Sequence, residues 1–248
     1  MARRSRSNKN QAPAITQNSP ENIIELGSYR KTKKRKIEII PRSVNQESYL
    51  LALEDRSKSI VVATGPAGTG KTMLGTLWAI KALQSGEFGK IVISRPNVAV
   101  DDKDIGFLPG DIFKKMAPWM MPILDVFKEY FTPQEVEEMI KMEIIEIVPI
   151  AFIRGRTFKN SVVILDEAQG TTVNSMLSTL TRIGEGSRMV VTGDVKQSDR
   201  GDKNGLQDLM AKIKTRSDLQ HITMVEFGRK DIERHPAVGE VLKVYNEE

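Results

Sequence analysis

Between Ser59 and Leu83 the chain has little choice of conformation. Ser59-Ile60-Val61-Val62-Ala63-Thr64 is a short β-branched run without a polar face, suited to a strand buried on both sides in a parallel sheet. Gly65-Pro66-Ala67-Gly68-Thr69-Gly70-Lys71-Thr72 follows and fills every fixed position of the pattern G-x-x-x-x-G-K-[ST]. Met73 to Leu83 then carries the apolar spacing of a helix. Strand, glycine turn and helix in this order make a phosphate-binding loop. Glycines at 65, 68 and 70 let the backbone turn tightly and bring its N–H groups to an anion at the positive end of the helix. The expected ligand is a nucleoside triphosphate with Mg²⁺, cradled by residues 65–73. Lys71 is expected to reach the β- and γ-phosphates, and the Thr72 hydroxyl to hold the metal.

A second constellation supplies the acid side of that chemistry. Ser161-Val162-Val163-Ile164-Leu165 reads as another buried strand, and Asp166-Glu167 emerges at its carboxyl end, where open α/β sheets bind their ligands. Asp166 is expected to hold Mg²⁺, and Glu167 to orient or polarise the attacking water. Arg188 to Asp194 repeats the strand-and-loop pattern, with the Gln197 amide placed to sense the γ-phosphate. Lys90-Ile91-Val92-Ile93-Ser94 is a further strand, ended by Arg95-Pro96 because proline cannot continue a central strand. These runs predict an α/β fold, a three-layer P-loop NTPase with a mostly parallel central sheet.

The remaining segments are placed by local signals. Ile37 to Pro41 reads as a short edge strand or an extended entry, and Asn45 opens a helix that runs to Leu53. Gln46 at its start either reads an adenine edge, since an amide both donates and accepts, or is a solvated helix-start residue. From Asn97 to Phe131 the pattern loosens into an inserted element. Its Met- and Trp-containing stretch around Pro118 and Pro122 either packs on the core or contacts a subunit or polymer. A helix from Pro133 to Met142, a strand over 143–148, a helix near 205–213, a strand near 222–227 and a helix near 236–245 complete the order.

Composition narrows the partners. With no cysteine, thiolate metal sites are excluded, and two histidines argue against a histidine-based cluster, so magnesium should arrive with the nucleotide. Residues 1–36 carry ten Lys/Arg against two Glu, a charge of +8, which leaves the body at −3 within the chain's +5. That segment is too poor in apolar residues to offset its ordering entropy, and it reads as a disordered tail ahead of one domain over 37–248. It either neutralises phosphates of a nucleic acid or serves as a solvated arm. No membrane-spanning run or secretory leader is visible in the sequence, so a cytoplasmic location is expected.

These blocks together resemble the PhoH family of ATPases. The resemblance rests on Gln46, GPAGTGKT at 65–72, SRP at 94–96, GFLPGD at 106–111, RGRT at 154–157 and DEAQ at 166–169. It continues through LTRIG at 180–184, TGD at 192–194 with Gln197, and RHPAV at 234–238, covering roughly 41–246. The chain has Gly170 where the family usually has asparagine. The small size and basic tail look like stand-alone, often phage-encoded, members. The resemblance implies a single RecA-like core related to superfamily 1 RNA and DNA helicases, with Gln46 reading adenine, Lys71 and Thr72 as the Walker A pair, Asp166 and Glu167 as the Walker B pair, and Gln197 as the γ-phosphate sensor. Helicases receive a catalytic arginine from a second core domain, so a neighbouring subunit is expected to supply it, in a homo-oligomeric ring, as a hexamer. Arg182 and Arg234 are the candidates and Arg154 and Arg156 the runners-up, with structural salt bridging as the alternative for each. Two functions follow: an ATPase motor on single-stranded nucleic acid, RNA first, or an ATP-controlled assembly switch with slow hydrolysis and a protein partner.

Overall fold

A computed structural model describes residues 36–96, 112–198 and 204–233 together with positions 237, 240 and 244; side chains in 112–117 are excepted. Chain contacts divide the molecule into Met1–Arg35 and Lys36–Glu248, and every described residue belongs to the second unit. The basic tail, GFLPGD and most of RHPAV, including Arg234, lie outside the described residues.

Six strands form one sheet: β1 (Ile60–Thr64), β2 (Lys90–Ser94), β3 (Ile145–Ile147), β4 (Ser161–Leu165), β5 (Arg188–Gly193) and β6 (Ile222–Glu226). Their order is β3-β2-β4-β5-β1-β6, and all five pairings are parallel. Because a strand's side chains alternate between faces, each central strand feeds two cores. Val61 and Ala63, Ile91 and Ile93, and Val162 and Ile164 meet one set of helices. Val62, Val92, Val163 and Val191 face the other side with Met176 and Leu206. Covered on both faces, these strands need apolar residues at every position, and β1, β4 and β5 are buried throughout. The three-layer α/β expectation is met.

One face carries α1 (Val44–Glu54), α2 (Lys71–Ser85), α3 (Ile112–Lys128) and α4 (Pro133–Lys141); the other carries α5 (Val173–Leu180) and α6 (Gly205–Lys214). Helix starts follow their caps: Ser43 accepts from Gln46 N, Thr132 and Glu135 form a capping box, and Asn204 accepts from Leu206 and Gln207 N.

Two segments differ in form from their sequence patterns. Residues 37–41 form no strand, so the extended entry holds. The loosened stretch contains a 17-residue helix, α3, despite Pro118 and Pro122. Each interior proline costs about 3 kcal/mol, but Met120, Ile123, Leu124 and Phe127 recur at helical spacing and are almost fully buried, at about 1.5–3 kcal/mol apiece. Burial wins, and this stripe packs on the core.

Candidate nucleotide site

The parallel sheet brings β1, β4 and β5 to end at one edge, and the site lies there. β1 breaks at Gly65, whose φ of 140° is reserved for glycine; a Cβ there would sit 2.3 Å from the Phe227 carbonyl oxygen. The loop closes at Gly70, φ 81°, which caps α2 without any side-chain acceptor, so the first amides of a 15-residue helix face outward. Within the loop, Thr69 Oγ1 donates to the Pro66 carbonyl at 2.9 Å. Lys71 is 7% exposed; its Nζ donates to the carbonyls of Gly65 and Pro66 at 2.7 Å each and to Thr69 Oγ1 at 3.2 Å.

Facing the loop, Asp166 is 2% exposed and its Oδ1 accepts from two hydroxyls, Thr72 at 2.7 Å and Thr192 at 2.6 Å. The second carboxylate is displayed differently. Glu167 adopts a left-handed backbone, φ 52° and ψ 41°, which costs a side-chain-bearing residue on the order of 1 kcal/mol and turns it away from Asp166. Its Oε1 accepts from Arg95 Nη2 at 2.6 Å and its Oε2 from Gln169 Nε2 at 2.5 Å. Gln169 is itself anchored, since its Oε1 accepts from Asp194 N at 3.1 Å.

A cleft of about 280 Å³ opens between these groups. Ala67, Gly68, Gly70, Lys71, Thr72 and Met73 line it from the loop side; Asp166, Glu167, Gly193, Asp194 and Gln197 line it from the strand ends. The fold thus gathers residues more than a hundred positions apart that the sequence assigned to one site. An outward-facing helix start and a glycine backbone fit phosphate oxygens. The adjoining Thr72 and Asp166 oxygens fit Mg²⁺, which takes one or two protein oxygens and completes its shell with phosphate and water. Among the described residues no cluster of three or more His, Cys, Asp or Glu forms a separate metal site.

Other expected residues fall elsewhere. Gln46 is 3% exposed and excluded from the solvated role: its Nε2 donates to the Thr69 carbonyl at 3.2 Å and its Oε1 accepts from Arg42 N at 2.7 Å, so it ties α1 to the loop. Arg182 is remote from its own cleft. Its carbonyl accepts from Phe158 N beside the amino end of β4, five residues and roughly 16 Å along the strand from Asp166. Arg156 makes an ion pair with Glu146 at 2.6 Å and stacks on Phe158 at 4.9 Å. Arg154 is exposed.

Sequence reasoning gave no site role to three contributors: Arg95, read as a strand terminator and part of SRP, and Thr192 and Gln169, read only as parts of motifs. Their signal was position: Arg95 and Thr192 at the carboxyl ends of β2 and β5, and Gln169 in the turn that follows β4. Gly170 also finds its reason, since a Cβ there would lie 3.1 Å from Pro96 Cβ and hold the SRP segment off this turn.

The family model described as PhoH, PhoH-like protein, matches residues 38–246. A PhoH-like protein of Bacillus subtilis is 38% identical over 209 residues, covering 84% of this chain and 64% of its own. Protein PhoH of Escherichia coli K12 is 39% identical over 212 residues, covering 84% of this chain and 58% of its own. The chain therefore spans about three fifths of the length of these relatives. Among solved structures, the Pyrococcus furiosus Hef helicase domain aligns over 77% of this chain and 39% of its own at 13% identity and a TM-score of 0.45.

Proposed function

The chain belongs to the PhoH family, and from that premise we propose that it is a Mg²⁺-dependent ATPase coupled to single-stranded nucleic acid, RNA in the first instance. The observation that carries the ATPase reading is Glu167: a carboxylate displayed into the cleft beside Lys71 and the Thr72–Asp166 pair. A nucleotide-binding protein without hydrolysis has no need of a second, strained carboxylate facing the phosphates.

In this reading the amides of residues 67–72 hold the phosphates, and Lys71 exchanges its loop carbonyls for phosphate oxygens. Thr72 and Asp166 would hold Mg²⁺, which would supply charge neutralisation at the phosphates. Glu167 accepts the proton of the attacking water, and Gln197 at the cleft wall registers whether the γ-phosphate is present. Gln46, touching both α1 and the loop, remains our candidate for the adenine edge.

The partner assignment extends the same argument. Among the described residues the cations closest to the reacting groups, Lys71 and Arg95, are engaged by this chain. An added arginine brings about 10³- to 10⁵-fold in related phosphoryl transfers, and Arg182 sits at the sheet edge remote from its own cleft. We place such an arginine in a neighbouring copy, Arg182 or Arg234, within a homo-oligomeric ring, and we give the basic segment 1–36 the nucleic-acid role. Phosphate release by the full chain with ATP and Mg²⁺ tests the reading, with and without single-stranded RNA. A severalfold rise with RNA supports the motor, whereas a flat, very low rate favours the assembly switch. Wild-type turnover in both Arg182→Ala and Arg234→Ala would remove the arginine in trans.

A further inference from the structure

Among the described residues, Arg95 is the one cation at the reacting carboxylates to which the chemistry above assigns no role. It stands at the carboxyl end of β2 with its side chain 18% exposed. Its Nη2 donates to Glu167 Oε1 at 2.6 Å, its Nε lies 3.7 Å from Asp166 Oδ2, and its Nη1 donates to the main-chain carbonyl of Trp119 in α3. The guanidinium is planar and presents its donors in a rigid fork, so the two grips are held at fixed spacing. One end is a carboxylate at the cleft, the other the main chain of α3.

The helix end of this link is the weak part of α3. Trp119 lies between Pro118 and Pro122, and neither proline has an N–H to close the helical ladder. The carboxylate end is held from outside as well. Glu167 sits in a left-handed conformation that its own backbone disfavours, and neighbours fix both oxygens, Arg95 on one and Gln169 on the other.

We infer that Arg95 is the positioning residue for Glu167, and that through it the placement of this carboxylate depends on α3. The inference rests on the ATPase reading. A displacement of α3 passes through the rigid fork to Glu167, and a misplacement on the order of 1 Å at a reacting group costs about 10²-fold in rate. A ligand that presses on α3 therefore controls hydrolysis without touching nucleotide, and nucleotide that draws Glu167 toward the γ-phosphate pulls on Trp119.

The chain's two tryptophans make the link observable. Trp78 is 3% exposed in the core, so a Trp119→Phe control assigns the signal. In the full chain, a non-hydrolysable ATP analogue with Mg²⁺ should change Trp119 emission. Arg95→Gln should bind that analogue with an affinity within about twofold of wild type, lose the Trp119 response and lower kcat at least about tenfold. Arg95→Lys keeps the charge beside Asp166 and Glu167 but cannot span both grips. It carries the test should the glutamine variant fail to melt cooperatively, and it should retain affinity while losing most of the rate.

Wild-type kcat in Arg95→Lys, a retained Trp119 response in the variants, or an affinity loss that parallels the rate loss would each overturn the inference. Failure of the ATPase reading looks different: wild type then releases no more phosphate than Lys71→Ala, whatever residue 95 is.

Discussion

Replacing Thr192 by valine isolates one support of the buried carboxylate. Asp166 is 2% exposed, and its Oδ1 rests on the hydroxyls of Thr72 and Thr192 at 2.7 and 2.6 Å. Valine keeps the shape of threonine, so the substitution opens no cavity and removes only the donor. A hydrogen bond to a charged group contributes about 1.5–3 kcal/mol. Asp166 retains Thr72 and has Arg95 at 3.7 Å, which places the loss near the lower end, about 1.5–2 kcal/mol. For a chain of this size that is about 3–8 °C in melting temperature. Thr72→Val removes the partner hydroxyl and should destabilise the nucleotide-free protein by a similar amount, yet it also deletes the oxygen assigned to Mg²⁺. Scanning calorimetry with and without Mg-ATP separates the two. Both variants melt early without nucleotide, and Mg-ATP restores Thr192→Val but adds little to Thr72→Val. A Thr192→Val melt within about 1 °C of wild type would refute the hydroxyl support. Equal stabilisation of Thr72→Val and wild type by Mg-ATP would refute the metal assignment.

Glu167→Gln should bind ATP and fail to turn it over, whereas Lys71→Ala should lose affinity as well; equilibrium binding and phosphate release distinguish them, and equal affinity losses would contradict the separate roles. Burial raises the Glu146 carboxyl, but its bonds to Arg156 and Lys90 outweigh that and hold it below the ordinary 4.5. A depressed carboxylate stabilises the fold above its unfolded value, so Glu146→Gln should cost stability at pH 7, and the difference should shrink as pH falls below 4.5 in denaturant titrations. The Tyr49 hydroxyl is fully buried without a hydrogen-bond partner among the described residues, and burial pushes its ionisation up. Tyr49→Phe should therefore melt about 2–4 °C higher, a gain on the order of 1 kcal/mol. At Gly193 a Cβ would lie 2.7 Å from Gln169 Oε1, so Gly193→Ala should displace that amide from Glu167 and lower kcat in steady-state assays.

Local sequence determined a great deal here because strand, turn and helix preferences act over a few residues. The glycine turn at 65–72, the buried runs and the acidic pair at 166–167 are each written in contiguous residues, and a strand covered on both faces needs apolar residues throughout. Their meeting at one edge follows from parallel pairing. What tertiary structure alone decided are contacts between residues far apart in the chain. Pattern does not say that Gln46 turns inward to the loop, that Thr192 supports Asp166, or that Arg95 spans from Glu167 to Trp119. Nor does it say that α3 survives two prolines, since local propensity opposes that helix and only the core it packs against outweighs the cost.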